Sequence, residues 1–155
     1  MTLVVGTDSY VTLAEADALL FPHPRRSTWK CRSDVVRELA LLQAARTIDQ
    51  QRFVGQIADQ DQALAWPRAG VCDAEGRVID SATVPDAVKL AQAELALHLV
   101  ADDFEGDEVP ENVRRVRAGT VEVEFGTPPG AELPKVVADI LRPFLQGDHS
   151  LRLVP

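Results

Sequence analysis

Residues 84–102 read VPDAVKLAQAELALHLVAD, and no other stretch restricts the fold as much. Val84, Val88, Ala91, Leu95 and Leu99 recur at helical spacing and form one stripe, with Leu90 and Leu97 alongside. Ala87, Ala91, Ala93 and Ala96 add little side-chain bulk, so neighbouring helices can approach closely. This is the pattern of a central core helix. Thr83 or Val84 is expected to start it, with Pro85 in the first turn, where a missing N–H costs little.

The other elements are expected to pack around it. Leu3, Val4 and Val5 end at Gly6 and read as a short strand or extended arm. A first helix follows in TLAEADALL, with Thr12 as N-cap and Glu15 completing a capping box. Leu13, Ala16 and Leu20 share one of its faces. Pro22 and Pro24 stop it, and PHPRRS reads as a loop. Ser33 caps a longer helix to about Gln50, whose apolar face includes Val35, Val36, Leu39, Leu41, Leu42, Ala45 and Ile48. Residues 52–83 contain Gly55, Pro67, Gly70 and Gly76 and cannot be one helix. Within them Asp73-Ala74-Glu75-Gly76, between Val71-Cys72 and Val78-Ile79, predicts a small hairpin. Residues 120–125 alternate as a half-buried strand. Residues 133–145 predict a last helix with Val136, Val137, Ile140, Leu141 and Phe144 inward.

The predicted fold class is therefore mainly α: a small bundle of about four helices, a short β-hairpin and one or two extra strands. One domain is expected over residues 1–146, with 1–10 as an arm and 147–155 as a tail. At 155 residues, 46% of them hydrophobic, the chain can bury a sizeable core. Cys31 and Cys72 lack CxxC spacing and read as reduced thiols. Neither a secretory leader nor an apolar run of membrane-spanning length is apparent.

The search for chemistry excludes more than it finds. Phosphate-binding glycine loops, zinc spacings and nucleophile elbows do not occur, and His23, His98 and His149 are scattered. No catalytic, metal-binding or cofactor-binding residue is nominated, and no enzymatic activity is expected. A formal charge of −8, from 24 acids and 16 bases, argues against a surface that coats DNA throughout but allows a local basic patch. Aromatic residues are only 5% of the chain, thin material for a single-strand stacking platform. Trp29-Lys30 and Trp66-Pro67-Arg68 are the two places where tryptophan neighbours a base. The second reads as a loop anchor: Trp66 burying a large area, Pro67 stiffening the chain, and Arg68 bracing a carboxylate or carbonyl.

An acidic run carrying Asp102, Asp103, Glu105, Asp107 and Glu108 precedes a basic one carrying Arg114, Arg115 and Arg117. Together they form a candidate subunit–subunit pair. In the tail, Leu151, Leu153 and Val154 alternate with Arg152 closely enough to dock on a partner as an edge strand.

VVGTDSYVTLAEADALL, QALAWPRAGVCDAEGRVI and VPDAVKLAQAELALHLV resemble tailed-phage head-to-tail connector (adaptor) proteins, many of which carry the automatic label "DnaT-like single-stranded DNA-binding protein". GTVEVEF and LPKVVADILRPFL extend the resemblance over nearly the whole chain, and SYVTLAEAD and ALAWPR are its most specific parts. It implies a structural virion protein assembled in the host cytoplasm. The expected partners are other copies of the chain in a twelve-subunit ring, a portal protein, and neck or tail-terminator proteins. Genomic duplex DNA would pass through the ring without specific binding. The alternative takes the label literally, as a single-stranded DNA-binding protein.

Overall fold

The computed structural model describes residues 2–102, 114–118, 121–125 and 133–147, and the backbone alone for Asp102 and for 114–118 and 121–125. Among these are five α-helices, α1 (Leu13–Leu20), α2 (Arg26–Lys30), α3 (Asp34–Asp49), α4 (Asp86–Asp102) and α5 (Lys135–Leu141). Two antiparallel strand pairs accompany them: β1 (Gln56–Ile57) with β2 (Arg68–Ala69), and β3 (Arg114–Ala118) with β4 (Val121–Phe125). The protein is mainly α with short hairpins.

The alanine-rich helix occupies the centre. Every residue of α4 from Ala91 to Leu97 is buried, and so are Val88, Val100 and Ala101. A helix apolar on one stripe needs one neighbour. This one has four, with α3 running along it and α1, α2 and α5 covering its other sides. Pro85 stands just before the helix instead of inside its first turn, and its carbonyl accepts from the backbone N–H of Val88 and Lys89.

α1 begins where its capping box demands: Thr12 Oγ1 accepts from the Glu15 amide at 3.1 Å and Glu15 Oε2 from the Thr12 amide at 2.7 Å. Ala16 and Leu20 are buried beneath it. α3 starts at Ser33, whose Oγ accepts from Val36 N, and ends at Gln50.

The segment PHPRRS is not all loop, because α2 begins at Arg26. Five residues are too few to show a helical period. The burial of Trp29 supplies what local propensity does not. Residues 3–5 form no strand: Asp8 N and Thr7 N both return to Val4 O, and Val4 and Val5 are exposed. The last helix stops at Leu141 and continues as a 3₁₀ turn, Arg142–Phe144, because Pro143 has no N–H to donate. Val137, Leu141 and Phe144 face inward as expected, but Val136 is exposed. β4 coincides with the alternating stretch. Its partner β3, read from sequence as a basic run, is a strand as well.

Two turns organise the region between α3 and α4. Asp73 closes the expected hairpin: Asp73 N donates to Arg77 O, and Asp73 Oδ1 accepts from the amides of Glu75 and Arg77, both at 2.9 Å. The ladder itself is a single Cys72–Val78 bridge. The β1–β2 pair was not foreseen, and it depends on Gly55. Gly55 has φ +74°, and a Cβ there would lie 2.3 Å from Ala69 O and 2.8 Å from Val71 Cγ2. Both obstacles belong to packed structure. Gly55→Ala is therefore expected to destabilise the protein by about 2–4 kcal/mol. Urea unfolding measures this, and a midpoint equal to that of wild type would contradict the close approach.

Candidate nucleic-acid interface

The two most specific sequence segments meet inside the molecule. Ser9 and Tyr10 are buried before α1. Tyr10 N donates to Gln92 Oε1 at 3.0 Å, while Gln92 Nε2 donates to Ser9 Oγ at 2.7 Å and to Leu41 O at 2.8 Å. Gln92, the most deeply buried polar side chain of α4, is thereby satisfied on both ends. The Tyr10 hydroxyl donates to Asp49 Oδ1, which also accepts from Ala65 N at 3.3 Å. A single carboxylate oxygen at the end of α3 thus joins SYVTLAEAD to ALAWPR.

The second segment is an anchor throughout. Trp66 is 2% exposed and stands between Phe53 and Phe144 in two edge-to-face contacts, with centroids at 5.4 and 5.3 Å. Its peptide bond to Pro67 is cis. Arg68 donates to three backbone carbonyls, Val54 O from Nε, Ala65 O from Nη1 and Gly55 O from Nη2. Neither residue is placed to hold a base. Trp29 is equally buried, with its indole N–H donated to Asp17 Oδ1 at 2.7 Å. Of the bases beside the tryptophans, Lys30 is exposed and Arg68 half-buried.

The remaining candidate residues give less. Arg114, Arg115 and Arg117 lie in β3, where the register sets Arg115 opposite Glu124 and Arg117 opposite Glu122. Asp102 ends α4. Asp103, Glu105, Asp107 and Glu108 fall outside the described residues, as do Leu151, Arg152, Leu153 and Val154.

A surface that the sequence reading passed over has the composition a single-strand contact needs. Residues 18–33 are the longest run in the chain without Asp or Glu, and they hold Arg25, Arg26, Lys30 and Arg32. Phe21, at 68% exposure, is the one exposed aromatic ring among the described side chains. Arg26 folds back over it, its guanidinium carbon 4.8 Å from the ring centroid, and Nη1 donates to Phe21 O at 3.3 Å. Lys30 lies one turn beyond Arg26 on α2, so the two exposed charges share a face, beside the buried Trp29. Arg25 and Arg32 flank them and are half-buried in contacts of their own. His23 secures the loop: its Nδ1 accepts from Arg25 N at 3.0 Å, and its Nε2 lies 3.3 Å from Glu94 Oε2 on α4, an electrostatic contact and not an aligned hydrogen bond. The signal was available as a charge window; the search for tryptophans beside bases overlooked it.

The model of the family described as "Putative DnaT-like ssDNA binding protein" matches residues 1–154. The chain belongs to this family. No curated protein and no solved structure matches it. The connector resemblance is thereby corrected, since the match that spans the chain is to the DnaT-like family. The physical reason is plain in the geometry. SYVTLAEAD and ALAWPR contribute Ser9, Tyr10, Val11, Ala16, Leu64 and Trp66 to the buried interior, so they mark a scaffold and say little of what its surface contacts. The ring, portal and tail partners rested on that resemblance alone.

The DnaT-like scaffold shifts two carboxylates in opposite directions. Burial pushes Asp49 up, and the donors Tyr10 and Ala65 pull it back only in part, so its net displacement is upward. The Tyr10 phenol is pushed above its ordinary range, first by burial and then by Asp49. Asp17 is raised by partial burial, but Lys30, Trp29 and Arg37 together outweigh this and hold it below the usual carboxylate value. For Asp49 the folded pKa exceeds the unfolded one, so wild-type stability falls as pH rises through that interval. Asp49→Asn keeps an Oδ1 acceptor for Tyr10 and Ala65 without the charge. Its stability should equal or exceed wild type at neutral pH, and the advantage should vanish below about pH 4. Asp49→Ala should lose about 1–3 kcal/mol. Urea unfolding across pH tests both, and an Asn variant weaker than wild type at pH 8 refutes the raised carboxyl.

Proposed function

We propose that this protein binds single-stranded DNA through the face built on α2 and the loop before it. The observation that carries the reading is the Phe21–Arg26 stack, an exposed ring covered by a guanidinium within the longest acid-free run of the chain. Membership of a family described as DnaT-like and single-stranded-DNA-binding supports it.

An unpaired base exposes a π-face that a duplex conceals, and an aromatic ring beside cations offers it a stacking surface while the cations meet the backbone. Phe21 supplies the ring, Arg26 a planar cation able to stack as well as pair, and Lys30 a further charge one turn away. The net charge of −8 does not forbid this. Charges more than about 8 Å apart are largely screened at physiological ionic strength, so the local sign governs contact. The expected affinity is modest and sensitive to salt, since the rest of the surface repels polyanions.

Fluorescence anisotropy with a labelled oligothymidylate in low salt is the test. Wild type should bind it and bind a duplex of equal length more weakly. Phe21→Ala should weaken binding about tenfold, the loss of roughly one stacked base. Arg26→Gln should make the slope of log affinity against log salt shallower by about 0.7. Absence of binding, or binding indifferent to both substitutions, would remove this face from consideration.

A further inference from the structure

We infer that Asp17 is the internal counterion of this face, holding Lys30 in the free protein and yielding it to a DNA phosphate on binding. The inference rests on the reading of residues 18–33 as the single-strand contact.

The two oxygens of Asp17 have separate duties. Oδ1 accepts from Trp29 Nε1 at 2.7 Å and from Arg37 Nη1 at 2.6 Å, both groups belonging to the buried side of the helices. Oδ2 accepts from Lys30 Nζ at 2.7 Å, and that lysine side chain is 57% exposed. Arg37 also pairs with Asp34, so its charge does not depend on Asp17 alone. The inner oxygen therefore holds buried groups, and the outer one neutralises a surface cation one helical turn from Arg26.

An exposed ion pair of this kind is weak, and a phosphate can compete for the ammonium. The exchange leaves a mark on salt dependence. A lysine that trades Asp17 for phosphate frees a cation from the DNA but leaves Asp17 to recruit one, so the net release is close to zero. A lysine unpaired beforehand contributes its full share, about 0.7 per phosphate on a single strand. The carboxylate thus holds affinity down and lets the face release its strand.

Asp17→Asn separates the two duties. The amide keeps Oδ1 for Trp29 and Arg37 but turns a donor towards Lys30. With the oligothymidylate of the previous test, this variant should bind about two- to fivefold tighter than wild type, with a slope steeper by about 0.7. Adding Lys30→Gln should abolish both gains. Glu75→Gln, in the exposed turn after α3, removes the same charge elsewhere and should change neither. Lys30→Gln alone, which leaves Trp29–Asp17–Arg37 intact, should keep the wild-type slope, and this arm serves if the Asn variant fails to fold. A folded Asn variant that binds no tighter, a gain that survives Lys30→Gln, or a Lys30→Gln slope shallower by about 0.7 each overturns the role of Asp17 while leaving the face in place. Wild type that does not bind the strand overturns the face and this role together.

Discussion

A helix buried on every side has to be wrapped, and the rest of this structure follows from that constraint. α4 carries alanine at Ala91, Ala93 and Ala96, so its neighbours come close, and none of its middle turns can reach water. Its one polar residue at full depth, Gln92, must then be satisfied from within the protein. The groups that do so are Tyr10 N, Ser9 Oγ and Leu41 O, which fix the N-terminal segment against α3 and α4 together. From that junction the Tyr10 hydroxyl reaches Asp49, and Asp49 reaches Ala65 beside Trp66. The contacts that satisfy these polar groups are also the ones that tie distant parts of the chain together.

This chain of partners explains which parts of the fold could be read in the sequence. α1, α3 and α4 declare themselves because capping residues and helical spacing are local: Thr12 with Glu15, Ser33 with Val36, and the stripe from Val84 to Leu99. The turn at Asp73 is equally local, its carboxylate serving amides two and four residues on. α2, the β1–β2 pair and the early end of α5 are different. α2 exists because Trp29 has a pocket, β1–β2 because Gly55 can lie against Ala69, and α5 stops because Pro143 cannot donate. Each proline, glycine or tryptophan is visible in the sequence, but its effect depends on a partner far away in the chain or on a helix too short to show a period. Trp66-Pro67-Arg68 reads as an anchor from its residue types alone, and in the structure Trp66 packs between Phe53 and Phe144 while Arg68 donates to three backbone carbonyls.

The candidate interface was the least legible part, and charge explains why. Averaged over the chain, acids outnumber bases by eight, and that average conceals a window in which they are absent. Folding sharpens the contrast. Asp17 and Asp34, which bracket the window in sequence, turn towards Arg37, and Glu94 on α4 faces His23. Asp34 and one oxygen of Asp17 are thus taken by Arg37, while Arg26 stays on the surface and Lys30 is held there by the other oxygen of Asp17. A search keyed to tryptophan looks in the wrong place, because an indole is the side chain a small core can least spare.

The same reasoning bears on what a family signature can report. Buried segments are constrained by every neighbour they touch, so they stay recognisable even where surfaces serve different ends. Exposed residues such as Phe21 and Arg26 are held by fewer neighbours, and a few substitutions there would change the surface without disturbing the scaffold. In the proposed interface the dividing point is Asp17, with one oxygen committed to Trp29 and Arg37 in the interior and the other holding the surface Lys30.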